Sequence, residues 1–445
     1  MRANSASAIR LTHFARNERG FFTVFSLYAL IVVILLAGFA LDLANHYSTR
    51  TQLQVAADTA AHAALVTRQR ENAEDAKDAA LTLHAYNMSP DRYGAVLTED
   101  DIEFGTWSFS QRMFNPDPDS RTAVRATTRQ VSSRANELRT FLLRFAGVGS
   151  FDVAATAVFT RYQPACLREG FVAEGRVDMQ SNNTFLNGFC IHSNDHVRIN
   201  QNNFFEEGTI VSMPDLDKLD VPNSGFERNE GLEAALREGR IDIRILNEFN
   251  NIYSGLLDRE PEYLPDYIDP LDPVVQRNLT SNNNSLTAAD FTPNRVHHLT
   301  CTSNNGSISV PNNTVISNVV IVTNCPISLG QNVQLQDVVV ASTSTHNRSI
   351  EGASGVNIGK PDNCAPGGGA QILTMGGMRF PSSLGIFGGQ LLAQGNIEFA
   401  ARADGIQGAS MVAGGEIDGT SNSNMSLCGT GMEGNFEANY FRMVL

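Results

Sequence analysis

One periodicity constrains this chain more than any other feature: a short pattern returns at offsets of 19 or 20. The stretch GRVDMQSNNTF, Gly175 to Phe185, recurs at an offset of 20 as DHVRINQNNFF, Asp195 to Phe205. Val177 thus falls on Val197, Met179 on Ile199, Asn182 and Asn183 on Asn202 and Asn203, and Phe185 on Phe205. At an offset of 19, Ile308, Val310, Asn313 and Ile316 fall on Ile327, Leu329, Asn332 and Leu335, and Val319-Val320-Ile321 falls on Val338-Val339-Val340. LLAQGN from Leu391 repeats at 19 as SMVAGG from Ser410. Short β-runs separated by Asn and Gly turns, at a nearly constant offset and without intervening helices, predict a coil of parallel strands whose rungs stack on one another. A sandwich would need alternating hairpins instead. Residues 163–445 are therefore expected to form a right-handed parallel β-helix. Val177, Val197, Val310 and Leu329 would line its inside, and the repeated asparagines would form ladders at its turns.

Between about 214 and 295 the repeat lapses. This stretch holds 16 acidic and 7 basic residues and supplies most of the chain's net charge of −14. Ile243, Leu246, Phe249, Ile252 and Leu256 predict an amphipathic helix, after which Pro261, Pro265, Pro270 and Pro273 break regular structure. A partly helical insertion that covers a flank or an end of the coil is expected.

The other end of the chain is of a different kind. Phe21 to Leu41 is a run of 21 residues without a charge, about 30 Å long as a helix, which matches the hydrocarbon core of a bilayer. A cleaved secretory signal has a shorter apolar core of about 7–15 residues. Arg2, Arg10, Arg16 and Arg19 precede the run and Asp42 follows it, so the positive-inside rule keeps the basic tail 1–20 cytoplasmic. The helical pattern continues without proline or glycine from Asp42 to Leu65, where Ala57, Ala61 and Ala64 form a stripe of small residues. That stripe is a candidate interface with a partner helix, or equally a face packed on the chain's own next helix at Ala73 to Asn87. From Asp101 onward, Ile102–Trp107, Thr122–Val131 and Phe151–Thr160 read as strands and Glu137–Phe145 as a helix. Residues 42–162 thus predict a long helix laid on a small α/β domain, and the whole chain is a membrane-anchored α+β protein.

Six cysteines, Cys166, Cys190, Cys301, Cys325, Cys364 and Cys428, all follow the apolar run. An even number confined to an exported part fits disulfides. A separation of 24 occurs twice, which favours Cys166–Cys190 and Cys301–Cys325, with Cys364–Cys428 left over. No CxxC occurs, and His297 and His298 are the only nitrogen ligands near Cys301, so no metal site is expected.

The order of Arg19-Gly20, the apolar run, Gly38, Asp42, Leu53-Gln54 and Ala57-Asp58 leading into Ala60, Ala61, Ala63 and Ala64 resembles the amino-terminal signature of TadE/TadG-like proteins of Flp (tight-adherence) pilus assembly. Phe104-Gly105-Thr106-Trp107 and Asp152 to Ala157 resemble later stretches of that group. The resemblance covers residues 14–160. It implies a bacterial inner-membrane protein, single-pass through residues 21–41, with its bulk in the periplasm. Its expected partners are the Flp/Tad assembly machinery and a pilin or outer-membrane protein, and neither enzymatic activity nor a cofactor is implied. Pilin-like members carry a glutamate five residues after a processing glycine, where this chain has Phe25. Some TadG proteins bear a metal site with a DxSxS run. Asp418-Gly419-Thr420-Ser421-Asn422 departs from it at the last position.

The acidic balance argues against nucleic acid. Parallel β-helices also host enzymes that cleave polysaccharides, which need carboxylates and a base on one face. Asp178 and Arg198 stack at an offset of 20, as an inter-rung ion pair would. Asp215, Asp217 and Asp220 lie in a proline-flanked loop without a matching base, and His192 and His196 read as rung residues. No P-loop, HExxH or GxSxG is present. A membrane-anchored protein that binds or cleaves envelope polysaccharide is the alternative expectation.

Overall fold

The computed structural model describes residues 21–222, 225–303, 305–363 and 365–445. The basic tail with Gly20, and Cys364 with its expected bridge, lie outside them. The described chain divides into two units, one ending at Tyr162 and completed by Tyr440–Leu445, the other spanning Gln163–Asn439. The coil was expected to run to residue 445. Its last six residues instead return to the first unit, where Tyr440–Met443 pairs antiparallel with Val153–Tyr162.

The first unit is built on α1, Phe21–Arg68, one uninterrupted helix of 48 residues, about 72 Å long. Asn72 accepts hydrogen bonds from the Glu74 and Asp75 amides and so caps α2, Ala73–Asn87. Beneath the helices lies a five-stranded antiparallel sheet in the order 113–116, 102–108, 123–130, 153–162, 440–443. Its alternating pattern turns Ile102, Phe104, Val124, Ala126 and Ala157 toward the helices, where they meet Ala57, Ala60, Ala61, Ala64 and Leu65 of α1 and Ala76 and Ala80 of α2. Of the two readings of the alanine stripe, this is the packing on the chain's own next helix and not the partner-helix interface: Ala57, Ala61 and Ala64 have no exposed surface and let α1 approach its own domain closely. The helix expected at Glu137–Phe145 is also absent. A two-residue strand, Leu138–Arg139, pairs with Ser150–Phe151, and Leu143–Ala146 forms a single 3₁₀ turn.

The second unit is a parallel β-helix-like coil. Its register confirms Val177↔Val197, Met179↔Ile199, Phe185↔Phe205, Ile308↔Ile327, Val310↔Leu329, Ile316↔Leu335 and Val319↔Val338. In the third repeat, however, Leu391 pairs with Met411 rather than Ser410, so the offset there is 20. The asparagine ladders are present. Asn182, Asn202 and Asn422 have φ of 64°, 61° and 56°, the left-handed turn that asparagine tolerates. Asn202 donates to Asn182, and Asn182 to Asn422, at 3.3 and 3.1 Å. Inside, Phe185 stacks on Phe205 with centroids 4.8 Å apart, and Phe171 meets Phe189 and Phe399 edge-on.

The order of rungs in space departs from the order in sequence. Strand 410–413 pairs with 170–173, 417–418 with 177–178 and 424–426 with 184–186, each at a chain offset of 240. The last rung therefore stacks on the first. The chain starts in the middle of the stack, winds outward through 170–186, 190–205 and 210–238, and crosses to the far end. It then winds back from 275 to 426.

The crossing is residues 239–274, shorter than the expected insertion, because strands 229–230, 236–238, 275–279 and 283–285 are themselves parts of rungs. Ile241 exchanges two hydrogen bonds with Asn194, Leu246 accepts from Gln394, Tyr253 donates to the Ser342 and Leu373 carbonyls, and Asp272 pairs with Arg295. These contacts march from one end of the stack toward the other. The predicted amphipathic residues hold the strap down: α3, Phe249–Asp258, buries Phe249, Ile252 and Leu256, and Ile243 and Leu246 are buried ahead of it.

Candidate functional site

Two surfaces stand out. The first is the front of α1. Its large apolar side chains from Phe22 to Leu41 are 45–76% exposed, a continuous apolar surface far larger than water-facing proteins carry. The helix is long and apolar enough to cross a membrane. At its end, the Asp42 carboxylate accepts from three consecutive amides, Phe141, Leu142 and Leu143, at 2.6–3.0 Å. Burial alone would raise the Asp42 pKa, and the three N–H groups outweigh it, leaving the carboxyl below its usual value.

The second is a charged column on the coil. Strand register places Glu351, Arg379, Glu398, Asp418, Asp178, Arg198 and Asp220 at successive positions up one sheet, with neighbours about 4.8 Å apart. Arg379 reaches Glu351 at 3.4 Å and Glu398 at 3.2 Å, and Arg198 reaches Asp178 at 3.7 Å and Asp220 at 3.4 Å. Arg176 lies between Asp178 and Glu416, at 4.0 and 3.1 Å. Asp178 is 5% exposed. Its burial, with the Asp418 and Asp220 carboxylates, outweighs Arg198 and Arg176 and raises its pKa. Two carboxylates in register beside arginines can take part in hydrogen bonding with a polar ligand. The sequence reveals the Asp178–Arg198 pair through the offset of 20. It hides Asp418, Glu398 and Glu416, because their rungs join the first rung from the far end of the chain.

The remaining candidates separate. Cys166–Cys190 and Cys301–Cys325 are disulfide-bonded, with Cα atoms 5.0 and 5.6 Å apart. The second bridge takes from His297 and His298 the thiolate that a zinc site would use. His192 is buried between Ser212 and Asn194, at 2.7 and 3.0 Å, and His297 contacts Thr292; burial lowers both pKa values. His196 pairs with Asp195 at 2.9 Å. Of the loop carboxylates, Asp215 accepts from the Asp217 amide while Asp220 joins the column. Among the described residues no group of three or more metal-ligating side chains gathers.

Residues 170–429 match the family model of a domain of unknown function, DUF7867, and residues 20–80 match that of Flp pilus-assembly TadE/G-like proteins. No curated protein and no solved structure matches the chain.

Proposed function

We propose that this chain, which belongs to the DUF7867 family through residues 170–429, is a non-enzymatic, single-pass inner-membrane component of Flp/Tad pilus assembly. The carrying observation is the TadE/G-like match at residues 20–80, which coincides with a helix whose front is apolar and exposed. In this reading residues 21–41 span the bilayer with the amino terminus cytoplasmic. The alanine-rich half of α1 organises the small domain. The coil, right-handed as parallel crossovers generally are, offers a stiff periplasmic surface to the machinery, a pilin or an outer-membrane partner. Its disulfides suit that oxidising compartment.

The test is fibre staining and surface pilin in a strain deleted for this chain, complemented by the full chain or by the chain lacking 163–439. Loss of pili restored only by the full chain supports the reading. Normal piliation in the deletion strain rejects it.

The charged column favours one second reading, an anchored protein that binds or cleaves envelope polysaccharide. Asp178 and Asp418 would then contact the glycan. Retention or turnover of envelope glycans by the full chain, lost in Asp418→Asn, would move this reading to first place. Absence of both would remove it.

A further inference from the structure

The loop 138–151 meets α1 at the level where the apolar run ends. Asp42 stands about 31 Å along the helix axis from Phe21, and its carboxylate holds the Phe141, Leu142 and Leu143 amides. One turn earlier, a Cβ on Gly38 would lie 2.6 Å from the Leu142 Cβ. Glycine is what lets the loop lie against the apolar part of the helix. The loop is closed at its base by Leu138↔Phe151 and Arg139↔Ser150, and Thr140 donates to the Val148 carbonyl at 2.6 Å.

What this frame presents is apolar and basic. Phe141, Phe145 and Val148 are 55%, 76% and 40% exposed. The Arg144 guanidinium lies over the Phe145 ring at 5.2 Å. Residues 138–151 contain Arg139 and Arg144 and no acidic side chain. Aromatic side chains beside arginines, at the end of an apolar run of bilayer length, match the boundary between acyl chains and phosphate headgroups.

We infer that residues 139–148 are a second, interfacial membrane attachment, with phospholipid as the occupant: Phe141 and Phe145 enter the upper acyl region and Arg139 and Arg144 meet the phosphates. The inference rests on the reading of residues 21–41 as a membrane span. It gives Asp42 and Gly38 a role, which is to hold the loop at the bilayer surface and keep α1 from rocking there.

The test uses the full chain in phosphatidylcholine–phosphatidylglycerol vesicles, with or without brominated acyl chains. In a Trp107→Phe background, a single indole is placed in the span by Tyr28→Trp, in the loop by Phe145→Trp, or further out on α1 by Val55→Trp. Bromine should quench the span and loop indoles and leave the outer one, about 20 Å further along α1 than residue 41, unaffected. Quenching of the span indole without the loop indole would overturn the interfacial loop and leave the span intact. Quenching of neither would overturn the span reading and the inference with it. Equal quenching of the loop and outer indoles would mean nonspecific association and would also overturn the inference. Adding Asp42→Ala should abolish quenching of the loop indole and spare the span indole; unchanged quenching in the loop would refute the tether.

Discussion

The stacking of the last rung on the first can be tested through one aromatic pair. Phe171 has no exposed surface, and its ring lies 5.3 Å from that of Phe399, which is 5% exposed, at an interplanar angle of 69°. The two rings come from opposite ends of the coil's sequence. Edge-to-face pairs of this kind contribute about 0.5–1.5 kcal/mol beyond area burial. Replacing either ring by leucine keeps an apolar filler, so each of Phe171→Leu and Phe399→Leu should cost about 1–2 kcal/mol. Phe171→Leu should cost more, because that ring also meets Phe189 at 4.9 Å. The informative quantity is the coupling in the double mutant, expected at about 1 kcal/mol. It is read from urea unfolding of the full chain in detergent, disulfides intact, followed by the β-sheet circular dichroism of the coil. If the rungs instead stacked in chain order, the rings would stand many rungs apart and the coupling would vanish, because sites more than about 10 Å apart are additive. Coupling within error of zero, with both singles folded and destabilised, would refute the permuted order.

Three further outcomes follow from the packing. Ala57→Leu and Ala61→Leu should each destabilise the first unit by about 1–3 kcal/mol through overpacking, seen as a lower urea midpoint; unchanged midpoints would show the stripe is not in its core. Replacing Cys301 and Cys325 by serine should lower the coil's unfolding free energy by about 3 kcal/mol, the chain-entropy value for a loop near their separation of 24, and an unchanged midpoint would place the stability elsewhere. Because burial lowers the folded pKa of His192 below its ordinary value near 6.5, its contribution is full above the unfolded pKa and is lost as pH falls through the folded one. The coil's midpoint should therefore drop as pH falls below about 6.5. His192→Gln should flatten that drop, and an identical slope in the variant would remove His192 from the account.

The helix missing at Glu137–Phe145 shows where sequence reasoning stops. Leu138, Leu142 and Phe145 have helical spacing, yet Asp42, far earlier in the chain, takes the Phe141, Leu142 and Leu143 amides. Local pattern carries no information about that partner. The alanine stripe of α1 shows a different limit: small residues at helical spacing state that something approaches closely, and only the fold decides between a partner helix and the chain's own α2 and adds the sheet.

What the sequence determined by itself was local and periodic: the apolar run, the coil with its register at two pairs of rungs, the asparagine turns, the amphipathic strap and two of the disulfides. Each depends on a repeat or spacing between residues close along the chain, where geometry follows from chain length. The tertiary structure alone decided that the last rung lies beside the first. Parallel rungs present nearly the same edge of N–H and C=O groups, so the period that specifies a rung does not specify its neighbour. That choice is made by shape, with Phe171 fitting Phe399 and the strap reaching the far end, and it sets Asp418 beside Asp178.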